Sequence, residues 1–119
     1  FAGDYVEGMW RMMQSDKPSD WVLATGETHT VKEFAKLAFE KVDLDFEKHV
    51  KISEKYFRPN EVDYLLGDYT KAKKELGWKP ETSFDQLVTM MVEHDIEEAN
   101  REKVLIENNL LNPTWEYPA

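Results

Sequence analysis

The chain has 119 residues, 41% of them apolar and 13% aromatic, with no cysteine and a formal net charge of −9. That length suits one domain or a piece of one with apolar content ample for a core, so wholesale disorder is excluded. The acidic balance without a basic patch argues against nucleic acid, no apolar run is long enough to span a membrane, and disulfide or thiolate chemistry is unavailable.

The chain opens on Phe1 without an initiator Met and enters a helix almost at once, which reads as a piece whose upstream part has been removed. Asp4 is the expected N-cap, with Glu7 three residues on. Tyr5, Val6, Met9, Trp10 and Met13 then recur at helical spacing as one apolar face. The cluster Ser15–Asp20 stops this helix. Trp21–Thr25 is a short apolar run of the kind buried in a parallel sheet, and Gly26–His29 is the loop after it. Thr30 with Glu33 makes a capping box, and Val31, Phe34, Ala35, Ala38 and Val42 give the stripe of a second helix.

Leu44 and Phe46 anchor a short turn, and Val50–Ile52 reads as a brief strand. Val62–Leu66 reads as another. Asp68 or Thr70 caps a third helix with Ala72 and Leu76 inward. Gly77 stands where a left-handed C-cap is wanted, with Trp78 folding back and Pro80 ending the run. Ser83 and Gln86 form a second capping box for a long last helix, whose apolar face is Phe84, Leu87, Val88 and Met91. Past Arg101 the pattern weakens, and Leu110–Trp115 reads as a tail. The expected class is α/β: a small helix-rich unit with a few short strands and about four helices, divided into residues 1–105 and a tail of 106–119.

The segment Tyr56-Phe57-Arg58-Pro59-Asn60-Glu61-Val62-Asp63 carries the chemistry. Arg58 offers a planar fork of donors suited to a phosphate, and Glu61 offers two acceptors suited to vicinal hydroxyls. Pro59 stiffens the backbone between them, so the pair matches a diphosphate beside a ribose diol. The plainer alternative is a surface Arg–Glu ion pair. Gly26, at the carboxyl end of the first expected strand, lies where α/β sheets tend to place ligands, although a plain turn glycine explains it better.

Other constellations carry less. His29, His49 and His94 fall in different elements without a partner at ligand spacing, so no metal site is expected. Tyr69-Thr70-Lys71-Ala72-Lys73 matches the Tyr-x-x-x-Lys relay of short-chain dehydrogenases, but that chemistry needs an adjacent nicotinamide, and the chain has no glycine-rich dinucleotide loop. No nucleophile elbow and no P-loop is present. The residues themselves describe a binding surface and no catalytic apparatus.

The blocks Gly3-Asp4-Tyr5-Val6-Glu7, Ala24-Thr25-Gly26-Glu27, Phe57-Arg58-Pro59-x-Glu61-Val62-Asp63, Gly67-Asp68 and Leu76-Gly77-Trp78-Lys79-Pro80 occur in that order. Together they resemble the carboxy-terminal substrate-binding part of the GDP-mannose 4,6-dehydratase family, within the extended short-chain dehydrogenases/reductases. The resemblance runs from Phe1 to about Glu98. It implies an NADP-dependent lyase that converts GDP-mannose to GDP-4-keto-6-deoxymannose on the way to GDP-fucose. Tightly held NADP oxidises carbon 4, water leaves across carbons 5 and 6, and the hydride returns at carbon 6.

The same resemblance implies that the Rossmann half, with the NADP loop and every catalytic residue, is absent here, so this piece alone is inactive and holds no cofactor. Arg58 matches the arginine on the diphosphate, and Glu61 the carboxylate on the ribose hydroxyls. A homo-oligomer, dimer or tetramer, and a cytoplasmic location are further expectations. A sister nucleotide-sugar epimerase or reductase, and a non-catalytic helical interaction module, remain open at this point.

Overall fold

The computed structural model describes residues 1–58, 62 and 64–112. Among these residues five α-helices follow one another: α1 (Ala2–Met13), α2 (Val31–Glu40), α3 (Phe46–His49), α4 (Thr70–Leu76) and α5 (Phe84–Glu107), with a 3₁₀ turn at Glu54–Tyr56 between α3 and α4. The helix beyond the expected four is α3, a single turn capped by the Asp45 carboxylate on the Glu47 amide at 3.1 Å. Two helix pairs organise the chain: α1 packs on α4, and α2 packs on α5, with α3 on the flank of α2.

Local signals placed the helix ends well. Thr30 and Glu33 exchange both capping-box bonds at the start of α2, and Ser83 and Gln86 do the same for α5. Gly77 closes α4 in the left-handed conformation, φ 63 and ψ 16, where a Cβ would cost strain. At the far end of α5 the Leu110 amide bonds the Leu105 carbonyl and the Asn109 amide bonds that of Ile106, with Asn109 at φ 56. That is a Schellman closure, and it reverses the chain at the helix end.

Helix α1 departs from expectation in two ways. Phe1 stands at its N-cap without a side-chain bond. Asp4 sits inside the first turn, and its carboxylate accepts the amides of Glu81 at 3.3 Å and Thr82 at 3.0 Å. Of the expected stripe Tyr5 faces the core, but Val6, Met9, Trp10 and Met13 do not. Asp4, Tyr5, Gly8, Arg11 and Met12 do, at equally regular helical spacing. Gly8 makes that approach possible: a Cβ there would lie 2.6 Å from a Leu23 methyl and 3.0 Å from Trp78 Nε1. The rest of the predicted stripe is left on the outside, with Met13 82% exposed.

Among the described residues three apolar side chains are fully buried: Ala72, Trp78 and Val88. Trp78 is the hub of the α1–α4 pair. Tyr5 lies tilted against it at 6.1 Å, Tyr69 meets it edge-on at 6.0 Å, and its indole N–H donates to the Asp4 carbonyl at 2.7 Å. Arg11 closes the C-terminal end of α4, donating to the Gly77 carbonyl at 2.6 Å and pairing with Glu7 at 2.8 Å. In the second pair His29 stacks on Phe84 at 3.8 Å and Phe34 meets the same ring edge-on, while Lys41 pairs with Asp85 at 2.8 Å.

The expected short strands at Trp21–Thr25, Val50–Ile52 and Val62–Leu66 do not form among the described residues. Residues 21–25 and 64–68 run without regular structure, and residues 22–24 lie against Gly67. The physical reason is that a strand is defined by a hydrogen-bonded neighbour, and apolar β-branched runs supply the tendency without supplying the partner.

Candidate functional site

The segment singled out by its chemistry leaves the 3₁₀ turn at Phe57, which is extended at φ −69 and ψ 135. Arg58 follows, exposed to solvent, and the proline after it disfavours a helical conformation at that position. Among the described residues no carboxylate pairs with Arg58. Glu61 lies outside the described residues, so the structure shows the guanidinium partner of the expected pair and not the acid.

Downstream, Val62, Tyr64, Leu65 and Leu66 are exposed apolar side chains, with Leu65 71% accessible, and the chain comes into close contact at Gly67. A Cβ on Gly67 would stand 2.4 Å from the Ala24 methyl, so the two backbones meet here at a distance that no other residue allows. Asp68 then accepts the Thr70 amide at 2.8 Å and the Thr70 hydroxyl. These bonds, the hydroxyl first, hold its carboxyl below its ordinary range. Asp68 thereby starts α4 from one residue ahead of the N-cap, which is Tyr69.

A concavity of about 310 Å³ opens between the loop after residue 25 and the turn that leads into α5. Thr25, Glu27, His29, Tyr69, Glu81 and Phe84 are among its walls. Gly26 forms the tight corner of that loop at φ 73, with Thr25 bonding the Glu27 backbone through its hydroxyl. The glycine is thus a turn residue by conformation, and it also lets the Tyr69 ring close in, since a Cβ would lie 2.9 Å from it. His29 lies 3.4 Å from the Glu27 carboxylate. Sequence reading did not group Glu27, Tyr69 and Glu81, because three separate loops supply them and no spacing announces the meeting.

Tyr69 and Lys73 do not form a proton relay. The Tyr69 ring is committed to Trp78, its carbonyl accepts the Lys73 amide at 2.9 Å, and the Lys73 side chain is on the exposed face of α4. The neighbouring Lys71 is tied to the Ser19 hydroxyl at 2.7 Å and the Asp20 carbonyl at 2.8 Å. With no glycine-rich loop in the sequence, these residues do not fit a nicotinamide cofactor. Among the described residues no group of three or more His, Asp or Glu side chains is placed to hold a metal, and no helix is long and apolar enough to cross a membrane.

Known proteins agree on one family. A family model described as GDP-mannose 4,6 dehydratase matches residues 1–91. GDP-mannose 4,6 dehydratase 1 of Arabidopsis thaliana is 59% identical over 88% of this chain and 29% of its own length. The Dictyostelium discoideum relative is 50% identical over 81% of this chain and 32% of its own length. The Homo sapiens relative is 44% identical over 81% of this chain and 30% of its own length. The chain therefore spans about three tenths of the length of these relatives, and by the match over residues 1–91 it belongs to the GDP-mannose 4,6 dehydratase family.

Proposed function

We propose that the chain is the nucleotide-sugar-binding part of a GDP-mannose 4,6-dehydratase, a lyase that removes water from GDP-mannose to give GDP-4-keto-6-deoxymannose. The observation that carries this reading is the family match, which is continuous across the segment holding Arg58 and Glu61. In it Arg58 grips the diphosphate and Glu61 the ribose hydroxyls. Neither group changes during the reaction, so contacts to them supply binding and orientation for the hexose. NADP, which takes a hydride from the sugar and returns it, is held by residues outside this chain, and no step falls to the residues described here.

The surface supports a larger whole. A compact chain of 14.0 kDa has about 6,700 Å² of accessible surface. This one has 10486 Å². Large apolar side chains are exposed on the outer face of α1 and at Tyr64–Leu66. In this reading those faces pack against the cofactor-binding half, where the extended segments gain strand partners and the α/β class is completed. A cytoplasmic homo-oligomer belongs to the same reading.

The decisive experiment is a chimera in which this chain replaces the matching 29% of the Arabidopsis thaliana relative. The expected result is turnover of GDP-mannose to the 4-keto-6-deoxy product. A folded chimera that retains NADP and binds GDP-mannose but makes no such product would overturn the assignment. Calorimetric titration with GDP and UDP separates it from a sister activity on a uridine nucleotide.

A further inference from the structure

We propose that the outward stretch of α5 is a self-association surface, and that its partner is the α5 of a second copy of this chain laid antiparallel about Ala99. This surface serves the homo-oligomer of the reading above and contains no residue of the nucleotide site. With 24 residues α5 far outruns the 10 of α2, the one helix it packs on among the described residues. Residues 93–101 are exposed without a break. Where α2 ends, Phe39 and Val42 form with Val92, Ile96 and Ala99 an apolar groove of about 290 Å³. Asp95 is the one charged residue in its walls, and among the described residues no cation pairs with it. A fitting occupant is therefore apolar and carries a cation placed to meet that carboxylate.

The helix itself meets that description. Val92, Ala99 and Ile106 recur every seven residues on one face of α5, and Asp95 and Lys103 stand four residues either side of Ala99. A two-fold axis through Ala99 sets Val92 against the second copy's Ile106 and Asp95 against its Lys103, each contact made twice. The Lys103 ammonium is available: its side chain is 71% exposed, and its ion pair with Glu107 spans 3.9 Å. A parallel pairing would oppose Asp95 to Asp95 and Lys103 to Lys103, so charge selects the antiparallel one. The small side chain of Ala99 at the centre lets the two axes come close. From Val92 to Ile106 the contact is about 21 Å long. That is too little for a tight dimer by itself, and it adds to the other contacts the subunits share.

The chain has no cysteine, so a single introduced thiol reports the contact. Under mild oxidation Ala99→Cys is expected to form an intermolecular disulfide about tenfold faster than Arg101→Cys, since only the first brings two thiols within bridging distance. The Arg101 side chain is itself exposed, on the opposite face of α5, so its variant measures random collision. Asp95→Lys added to Ala99→Cys sets ammonium against ammonium and is expected to slow the link about fivefold. Lys103→Asp added in turn restores the match and should return the rate to within about twofold. Equal rates at positions 99 and 101, or no recovery in the swapped chain, overturn the proposal. The same link is expected in the chimera with the Arabidopsis thaliana relative. A chimera whose introduced thiol is shielded from alkylation but unlinked also overturns it, because the cofactor-binding half then covers the groove. Turnover of GDP-mannose by that chimera is read separately, so the nucleotide reading stands or falls on its own result.

Discussion

The Trp78 indole N–H donates to the Asp4 carbonyl at 2.7 Å across 74 residues of sequence, and the Asp4 carboxylate takes the Thr82 amide four residues beyond that indole. One residue in the first turn of α1 thus fastens the turn that connects α4 to α5. Trp78→Ala is expected to destabilise this part by about 3–5 kcal/mol through the cavity and the lost indole hydrogen bond. Trp78→Phe keeps most of the packing and should cost roughly half as much. Hydrogen exchange of the α1 and α4 amides reads both. Equal protection in parent and Trp78→Ala would show that the hub is elsewhere.

Gly77 closes α4 with a left-handed turn, and a Cβ there would lie 3.4 Å from the Arg11 guanidinium. Gly77→Ala is expected to cost about 1 kcal/mol from backbone strain, with little added by crowding because the arginine can yield. Gly77→Asn should cost less, since Asn tolerates this conformation. Urea melts of the three proteins give the order, and Asn below Ala would contradict the conformational argument.

Arg58→Ala is expected to weaken GDP-mannose binding by about 1.5–3 kcal/mol, the range for losing charge-assisted hydrogen bonds. NADP retention should be unaffected. Arg58→Lys keeps the charge and loses the fork, and should fall between the two. Isothermal titration with GDP-mannose measures each. Parent-like affinity in Arg58→Ala removes the residue from the site.

Acid should loosen the first turn of α2 before most of that helix. Glu33 accepts the Thr30 amide at 2.6 Å, and that bond, then the Thr30 hydroxyl bond, hold its carboxyl below the ordinary 4.5. A folded value below the unfolded one means that the unfolded chain binds the proton more readily. The contribution is therefore whole above pH 4.5 and is lost as pH falls through the lowered folded value. Amide exchange at residues 31–33, followed from about pH 6 to about pH 3, should show an extra acid-induced opening that Glu33→Gln removes. An identical acid response in the variant would sink the assignment.

What the sequence disclosed was decided locally. Thr30 with Glu33, Ser83 with Gln86, and Gly77 each act within a turn of their own helix, and the residue types were sufficient to find them. Asp4 was misjudged because its carboxylate answers to amides at Glu81 and Thr82, and no short window holds both. The inward side of α1 was misjudged for a related reason: Gly8 contributes no hydrophobicity, yet its missing side chain chooses the face. Arg58 was legible as chemistry, from its type and its proline neighbour. Gly67 was seen only as part of a family block, since its importance lies in a methyl group on residue 24.

Helix α1 has apolar side chains on both flanks, Tyr5 against Trp78 and Met12 half-buried on one, and Met9, Trp10 and Met13 exposed on the other. A rod one helix thick that is greasy on two sides behaves as a party wall. Pressure from either room moves the plaster in the other, so outer-flank substitutions that look remote from Trp78 should alter how firmly that indole is seated. Evolution of the two flanks is thereby yoked, and swapping α1 alone between distant relatives should succeed less often than swapping it together with the turn at residues 78–82.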